Sequence, residues 1–211
     1  MTFFSRKEFL QTAGVFMAAL AAGPLTAFGE KKHLLSFSTL GCPNWTFQQI
    51  TDFAVQHGYS GIEVRGLQRQ MNLPASPAFS TPEARKATMA IMKEKGLSFV
   101  GLGSSATLHF AEGEEPAKHL ADAKRFIDLA QQINCPYIRV FPNNFPKERE
   151  KGETMLLISK GLLELGDYAK DKNVTVLMET HGDVVAIADL LAIMKAAAHS
   201  HVGLVWDVSN M

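Results

Sequence analysis

The chain has 211 residues, 46% of them hydrophobic, and its 21 Lys and Arg balance 21 Asp and Glu, so the formal net charge is zero. A neutral chain has no electrostatic footing on a phosphate backbone, which excludes nucleic acid as an expected partner. Beyond an amino-terminal segment, about 180 residues remain, enough for one core and short for two ordinary domains.

The amino-terminal segment reads as an address, not as fold. Ser5-Arg6-Lys7-Glu8-Phe9-Leu10 precedes an apolar run over residues 13–28, and Ala27-Phe28-Gly29 supplies small residues at a cleavage spacing. A basic start, an apolar middle and a small-residue exit form a secretory signal over 1–29. The string is similar to a twin-arginine export signal, with Lys7 at the second arginine. An uncleaved anchor is the alternative, but the run is short for a span and contains Gly23 and Pro24. The expectation is an exported, periplasmic protein whose mature part, 30–211, begins near Glu30.

One unit then recurs: a short apolar run, a polar residue at its end, and an amphipathic helix. The first run, 34–40, leads to Cys42, Asn44 and Trp45. A helix begins near Phe47 and closes at His57-Gly58. The run 61–64 delivers Glu63 and Arg65. Thr81-Pro82-Glu83 then supplies a cap, a proline at the first helical position and an acid in the first turn. Met89 and Met92 face the core and Gly96 ends that helix. In the run 97–102, Gly101-Leu102-Gly103-Ser104 reads as a tight strand exit, followed by Ser105 and His109. Glu112, Glu114 and Glu115 read as a solvated loop. Residues 119–133 place Leu120, Ala123, Ile127 and Ala130 at helical spacing, with His119 toward solvent. The run 137–141 carries Arg139 and leads to Asn143 and Asn144. Leu162, Leu165 and Ala169 mark a helix that stops before Asn173. The run 174–178 ends in Glu179, His181 and Asp183, with Asp183 able to cap a helix that turns Leu190, Leu191 and Met194 inward. The run 202–206 ends in Asp207 and Asn210. His57, His199 and His201 sit at helix ends or turns away from these tips.

The near-continuous apolar character of the runs predicts strands buried on both faces of a parallel sheet. Strand–helix alternation gives an α/β fold of βαβ units, either a doubly wound sheet or a barrel. No phosphate-binding glycine motif follows a strand, which weakens the nucleotide-binding version. A parallel TIM-type barrel, incomplete, with about six βα units where a closed one takes about eight, is the expected architecture. Its first and sixth strands would be open edges, to be covered by a partner, closed by distortion, or completed in a longer product. Cys42 follows a strand and Cys135 precedes one, so they lie farther apart than the roughly 7 Å a disulfide permits, and two free thiols are expected.

Glu179 and Asp207 each follow apolar residues, and a buried unpaired ion costs several kcal/mol. A divalent cation such as Mn²⁺, Mg²⁺ or Zn²⁺ would satisfy both carboxylates. So would helix capping, or pairing with Arg65 or Arg139, and pattern alone leaves these open.

Three strings occur in order on successive strands: Gly61-Ile62-Glu63-Val64-Arg65, Met178-Glu179-Thr180-His181-Gly182 and Val205-Trp206-Asp207-Val208-Ser209-Asn210. Together they resemble the xylose isomerase-like sugar phosphate isomerase/epimerase family, over roughly three quarters of that barrel. The resemblance implies a metal held by Glu179 and Asp207, a sugar or sugar derivative facing Glu63 and Arg65, and His181 near metal or substrate. It implies a further His and Glu from later strands, for which this sequence has no counterpart. Asn210 stands where members often carry a substrate-touching His. His109 and Asn143 are further candidate substrate contacts. Trp45 either stacks on a sugar ring or plugs the barrel mouth, the plug being favoured. The implied chemistry is metal-assisted proton transfer next to a sugar carbonyl, with Glu179 as one base and His181 beside it.

The leading expectation is therefore an exported sugar isomerase or epimerase. The alternatives are a non-catalytic carbohydrate-binding or assembly module that pairs through its open edges as a homo-oligomer, and an interrupted copy of a longer enzyme. Apurinic-site endonucleases share this architecture, but the chain lacks their positive charge and the extra His and Asp ligands.

Overall fold

A computed structural model describes residues 34–210, so the export-signal expectation over 1–29 lies outside the described residues. Six strands, β1 (Ser36–Ser38), β2 (Gly61–Val64), β3 (Ser98–Thr107), β4 (Tyr137–Phe141), β5 (Thr175–Glu179) and β6 (Val202–Val205), lie side by side in chain order. Every neighbouring pair is parallel. Helices α1 (Phe47–Gln56), α2 (Pro82–Glu94), α3 (Glu115–Gln132), α4 (Lys151–Ala169) and α5 (Ile187–Ala196) make the crossovers. The sheet runs from β1 to β6 without closing on itself, the incomplete barrel expected.

Local chemistry explains the helix starts. Thr46 accepts from the Gln49 N–H at 3.3 Å while the Gln49 side chain accepts from the Thr46 N–H at 2.8 Å, a reciprocal cap on α1. Thr81 accepts from the Ala84 N–H at 3.1 Å ahead of Pro82, and Gly96, at φ +64°, ends α2.

The strands are not apolar on both faces. Across the ladders Glu63 sits beside Gly101, Gly103 beside Arg139, Arg139 beside Leu177 and Glu179 beside Val205. Residues paired across a parallel ladder share a face and the side-chain period is two, so the charged residues and two glycines lie on one side of the sheet together with Leu177 and Val205. The opposite side carries Ile62, Val64, Leu102, Ile138, Val140, Val176 and Met178, all fully buried. They form one cluster with Ile50, Ala54, Ala123, Ile127, Leu162, Leu165 and Ile193 from the helices. The hydrophobic core is thus the layer between sheet and helices, where each enclosed aliphatic side chain contributes about 1.5–3 kcal/mol.

Several local expectations are corrected. Gly101-Leu102-Gly103-Ser104 is strand interior, because β3 continues to Thr107. Four residues of β3 span two of β4 there, a bulge sealed by the Ser104 hydroxyl, which donates to the Arg139 carbonyl at 2.7 Å. Helix α3 starts at Glu115, which leaves the acidic loop to pair with Lys118 at 3.0 Å and His119 at 3.2 Å. His119 does not face solvent: its Nδ1 accepts from the Thr107 N–H at 3.1 Å and its ring stacks on Phe110. Asp183 does not cap α5, which begins after Ala186, and Leu191 is 66% exposed while Leu190 is buried. Both cysteines are buried free thiols, as expected, and burial pushes the Cys135 thiol up to about 12. Among the described residues no helix is long and apolar enough to cross a membrane.

Candidate functional site at the strand ends

The charged face gathers at the carboxyl ends of the strands. Gly103 leaves room for it, since a Cβ there would run into Arg65 Cδ and meet Arg139 Nη2 at 3.1 Å and Glu63 Oε1 at 3.2 Å. Arg139 is the centre of the group. Its Nε lies 2.8 Å from Glu179 Oε2, with the two side chains only 11% and 15% exposed. Its Nη1 donates to the Ser104 carbonyl at 2.8 Å, and the guanidinium sits 3.8 Å from the Phe141 ring centroid. Among the described residues the Nε–H has no aligned hydrogen-bond acceptor, so the contact with Glu179 is ionic and not a directed bond. Burial pulls the guanidinium down to about 10, against the pull of Glu179, and it stays cationic at neutral pH. Glu179 lies above its ordinary value because burial outweighs the attraction of Arg139 and His181.

Arg65 reaches the Gly103 carbonyl at 3.4 Å and the Ser105 hydroxyl at 3.2 Å, and burial lowers its pKa. Asp207 is held differently. Its Oδ1 accepts from the Ser209 N–H at 2.9 Å and hydroxyl at 2.7 Å, and Oδ2 accepts from the Asn210 amide at 3.1 Å. The two bonds from Ser209, the hydroxyl foremost, hold its carboxyl below the usual range. Asn210 also donates to the Thr180 carbonyl at 3.0 Å, which ties the end of β6 to β5. Of the openings left by pattern alone, Glu179 takes the arginine pair and Asp207 the turn cap.

The loops after β4 and β5 are stitched back to back. The Asp183 N–H donates to the Asn143 carbonyl and the Phe145 N–H donates to Asp183 Oδ2, both at 2.9 Å. His181 Nδ1 lies 3.0 Å from Asn143 Oδ1, and its ring is 4.4 Å from that of Phe141. Both turning points adopt left-handed backbone, Asn143 at φ +62° and Gly182 at φ +65°. A Cβ on Gly182 would run into the Asn143 carbonyl. Gly182→Ala is therefore expected to cost about 2 kcal/mol or more of stability, read by urea denaturation, from left-handed strain plus that clash.

The structure brings Glu63, Arg65, Glu179, His181, Asn143, Asp207 and Asn210 to one end of the sheet. Trp45 and His109 belong to other contacts. Trp45 is half-buried and packs edge-on to Phe53 of α1 at 5.2 Å. His109 is 8% exposed and lies tilted against Phe110 at 4.1 Å, and its Nδ1 has no hydrogen-bond partner among the described residues. Arg139 emerges as the residue that organises the site. Its signal was a cation between Ile138 and Val140, the same kind of interrupted apolar run that singled out Glu179.

Glu179 and Asp207 are hard oxygen donors on adjacent strands, as a divalent ion would require. Among the described residues, however, no group of three or more His, Cys, Asp or Glu side chains could hold an ion. Glu179 is committed to Arg139, and Asp207 to Ser209 and Asn210. The set does not fit a metal centre as it stands.

An open parallel βα sheet with charged strand ends defines a barrel-type α/β fold. The chain belongs to the family of xylose isomerase-like TIM barrels, whose model matches residues 51–211. No curated protein sequence matches it. Among solved structures it is similar to an IOLI protein with a binding zinc atom, at 17% identity and a TM-score of 0.67, over 82% of this chain and 62% of that one. It is similar to a D-psicose 3-epimerase determined in the presence of D-fructose, at 14% identity and a TM-score of 0.65, over 82% and 62%. It is also similar to the 3-keto-D-glucoside 4-epimerase YcjR from E. coli, at 15% and 0.61, over 77% and 63%. The chain thus spans just over three-fifths of the length of these structures, and the likeness speaks for the fold.

Proposed function

We propose that this chain acts on a sugar or sugar derivative, moving a proton on a carbon next to a carbonyl, as an isomerase or epimerase. The reading is carried by Glu179, a largely enclosed carboxylate at the end of β5 between Arg139 and His181. A raised carboxyl pKa suits a general base. Its carboxylate takes the proton from the carbon, and the carbon–hydrogen electrons move to the carbonyl oxygen to give an enediolate. A proton delivered from solvent to the opposite face of the same carbon gives the epimer, whereas return of the proton to the former carbonyl carbon, with the hydroxyl proton passing between the two oxygens, gives the isomer. Arg65 and Arg139 supply positive charge near the developing oxyanion.

The test is incubation of the full chain with a panel of aldoses, ketoses and 3-keto sugars in deuterium oxide, followed by proton NMR. Deuterium entering next to the carbonyl is expected. A folded protein that exchanges none of the panel overturns the reading. The commitment of both carboxylates to protein partners favours a second reading, a non-catalytic carbohydrate-binding module, which binding without exchange would select.

Export belongs to the proposal on the strength of the signal over 1–29, and fractionation of cells expressing the full chain checks it. For the divalent ion, titration with Mn²⁺, Mg²⁺ or Zn²⁺ alone is expected to show weak binding, on the order of millimolar, because few protein oxygens are available. Calorimetric binding a thousandfold tighter would show that Glu179 leaves Arg139 for the ion.

A further inference from the structure

His181 projects from the stitched pair of loops, and one contact governs its chemistry. A neutral imidazole carries its proton on one nitrogen, and the hydrogen bond at the other end decides which. The partner of Nδ1 is Asn143 Oδ1 at 3.0 Å, an oxygen that only accepts. Nδ1 must then carry the hydrogen and Nε2 the lone pair. The structure gives Nε2 no hydrogen-bond partner among the described residues.

Asn143 is unusually well fixed for this task. Its backbone is left-handed, its carbonyl is held by the Asp183 N–H, and Gly182 packs so closely that no side chain fits between them. The Phe141 ring lies against the imidazole, and the Arg139 guanidinium lies against Phe141. The imidazole is thus held by Asn143 at Nδ1 and by Phe141 against its ring.

We infer that Asn143 is a positioning residue: its side-chain carbonyl fixes His181 as the Nδ1–H tautomer and presents Nε2 as a bare acceptor for a hydroxyl of the bound ligand. This rests on the reading of the strand ends as a sugar site and deepens it. It assigns Asn143 to orientation and His181 to recognition of a hydroxyl donor. Ligands lacking that hydroxyl would leave Nε2 unpaired and bind less well.

The molecule contains its own reference tautomers. His119 Nδ1 accepts from the Thr107 N–H and His199 Nδ1 accepts from the His201 N–H, so both must be Nε2–H. His201 Nδ1 faces the Val174 carbonyl at 2.8 Å and must be Nδ1–H.

The test is long-range proton–nitrogen NMR of the ¹⁵N-labelled full chain at a pH where the imidazoles are neutral, with His181 assigned by its loss in His181→Gln. His181 is expected to match His201 and to oppose His119. In Asn143→Gly, which keeps the left-handed backbone, His181 is expected to move to the Nε2–H or an averaged form, while Asn143→Asp keeps the wild-type pattern. With a sugar from the exchange panel, Asn143→Gly is expected to raise KM about tenfold, the effect of one hydrogen bond, and Asn143→Asp to restore it. A wild-type His181 in the Nε2–H form overturns the inference, and so does an unchanged spectrum in Asn143→Gly. The tautomer is read without ligand, so its failure is distinct from a failure to turn over sugars.

Discussion

Replacing Arg139 by methionine is expected to cost the folded chain about 3–5 kcal/mol at neutral pH, a large part of the 5–15 kcal/mol typical of a domain. The substitution removes the cation 2.8 Å from Glu179 and leaves that carboxylate largely enclosed with no counter-charge. Solvent screening offsets little, because both side chains are mostly covered. The pH dependence has a definite sign. Glu179 already sits above its ordinary value, so the folded state holds its proton more tightly than the unfolded chain does. That contribution is fully present below the ordinary Glu value of about 4.3 and is lost as pH rises through the raised folded value. Without Arg139 the raised value climbs further and the loss deepens. Urea denaturation at acid and neutral pH measures both effects. The double variant Arg139→Met with Glu179→Leu should recover most of the loss, since an apolar pair replaces a broken ionic one. A cost under about 1 kcal/mol for Arg139→Met alone would place the pair in solvent.

The second large effect concerns activity. Glu179→Gln keeps the shape and removes the base, so solvent exchange into a substrate is expected to fall by about 10²- to 10⁴-fold, together with a loss of stability because the enclosed Arg139 guanidinium loses its counter-charge. The control is Asp207→Asn. Asp207 caps a turn through Ser209 and Asn210, so its loss should loosen the end of β6 before it touches the proton transfer. Equal loss of exchange in both variants would place Asp207 in the chemistry as well.

Much of this architecture was legible in the residues. Thr81 and Pro82 announce a helix start because capping is a local matter of one side chain and a few exposed N–H groups. The bounds of β2 and β4 followed from short apolar runs between clear stops. The extent of β3 did not, because Gly103-Ser104-Ser105 has the composition of an exit and becomes strand only through the bulge against Arg139. The site was half legible. Glu179 and Asp207 stood out as acids ending apolar runs, and their delivery to neighbouring strand ends followed from parallel order. Which partner each would take depended on register across three strands, from Gly103 through Arg139 to Leu177, and no local pattern encodes that. His119 was misplaced for the same reason: its partner, Thr107, belongs to another element.

The sorting of side chains across the sheet carries an evolutionary corollary. Aliphatic residues that hold the molecule together point one way, and the ionic and small residues at the strand tips point the other. Selection can therefore rewrite one surface with little disturbance of the other. Lineages built on this plan are free to diverge in what they recognise while the scaffold persists, as the shared backbone at 14–17% identity illustrates.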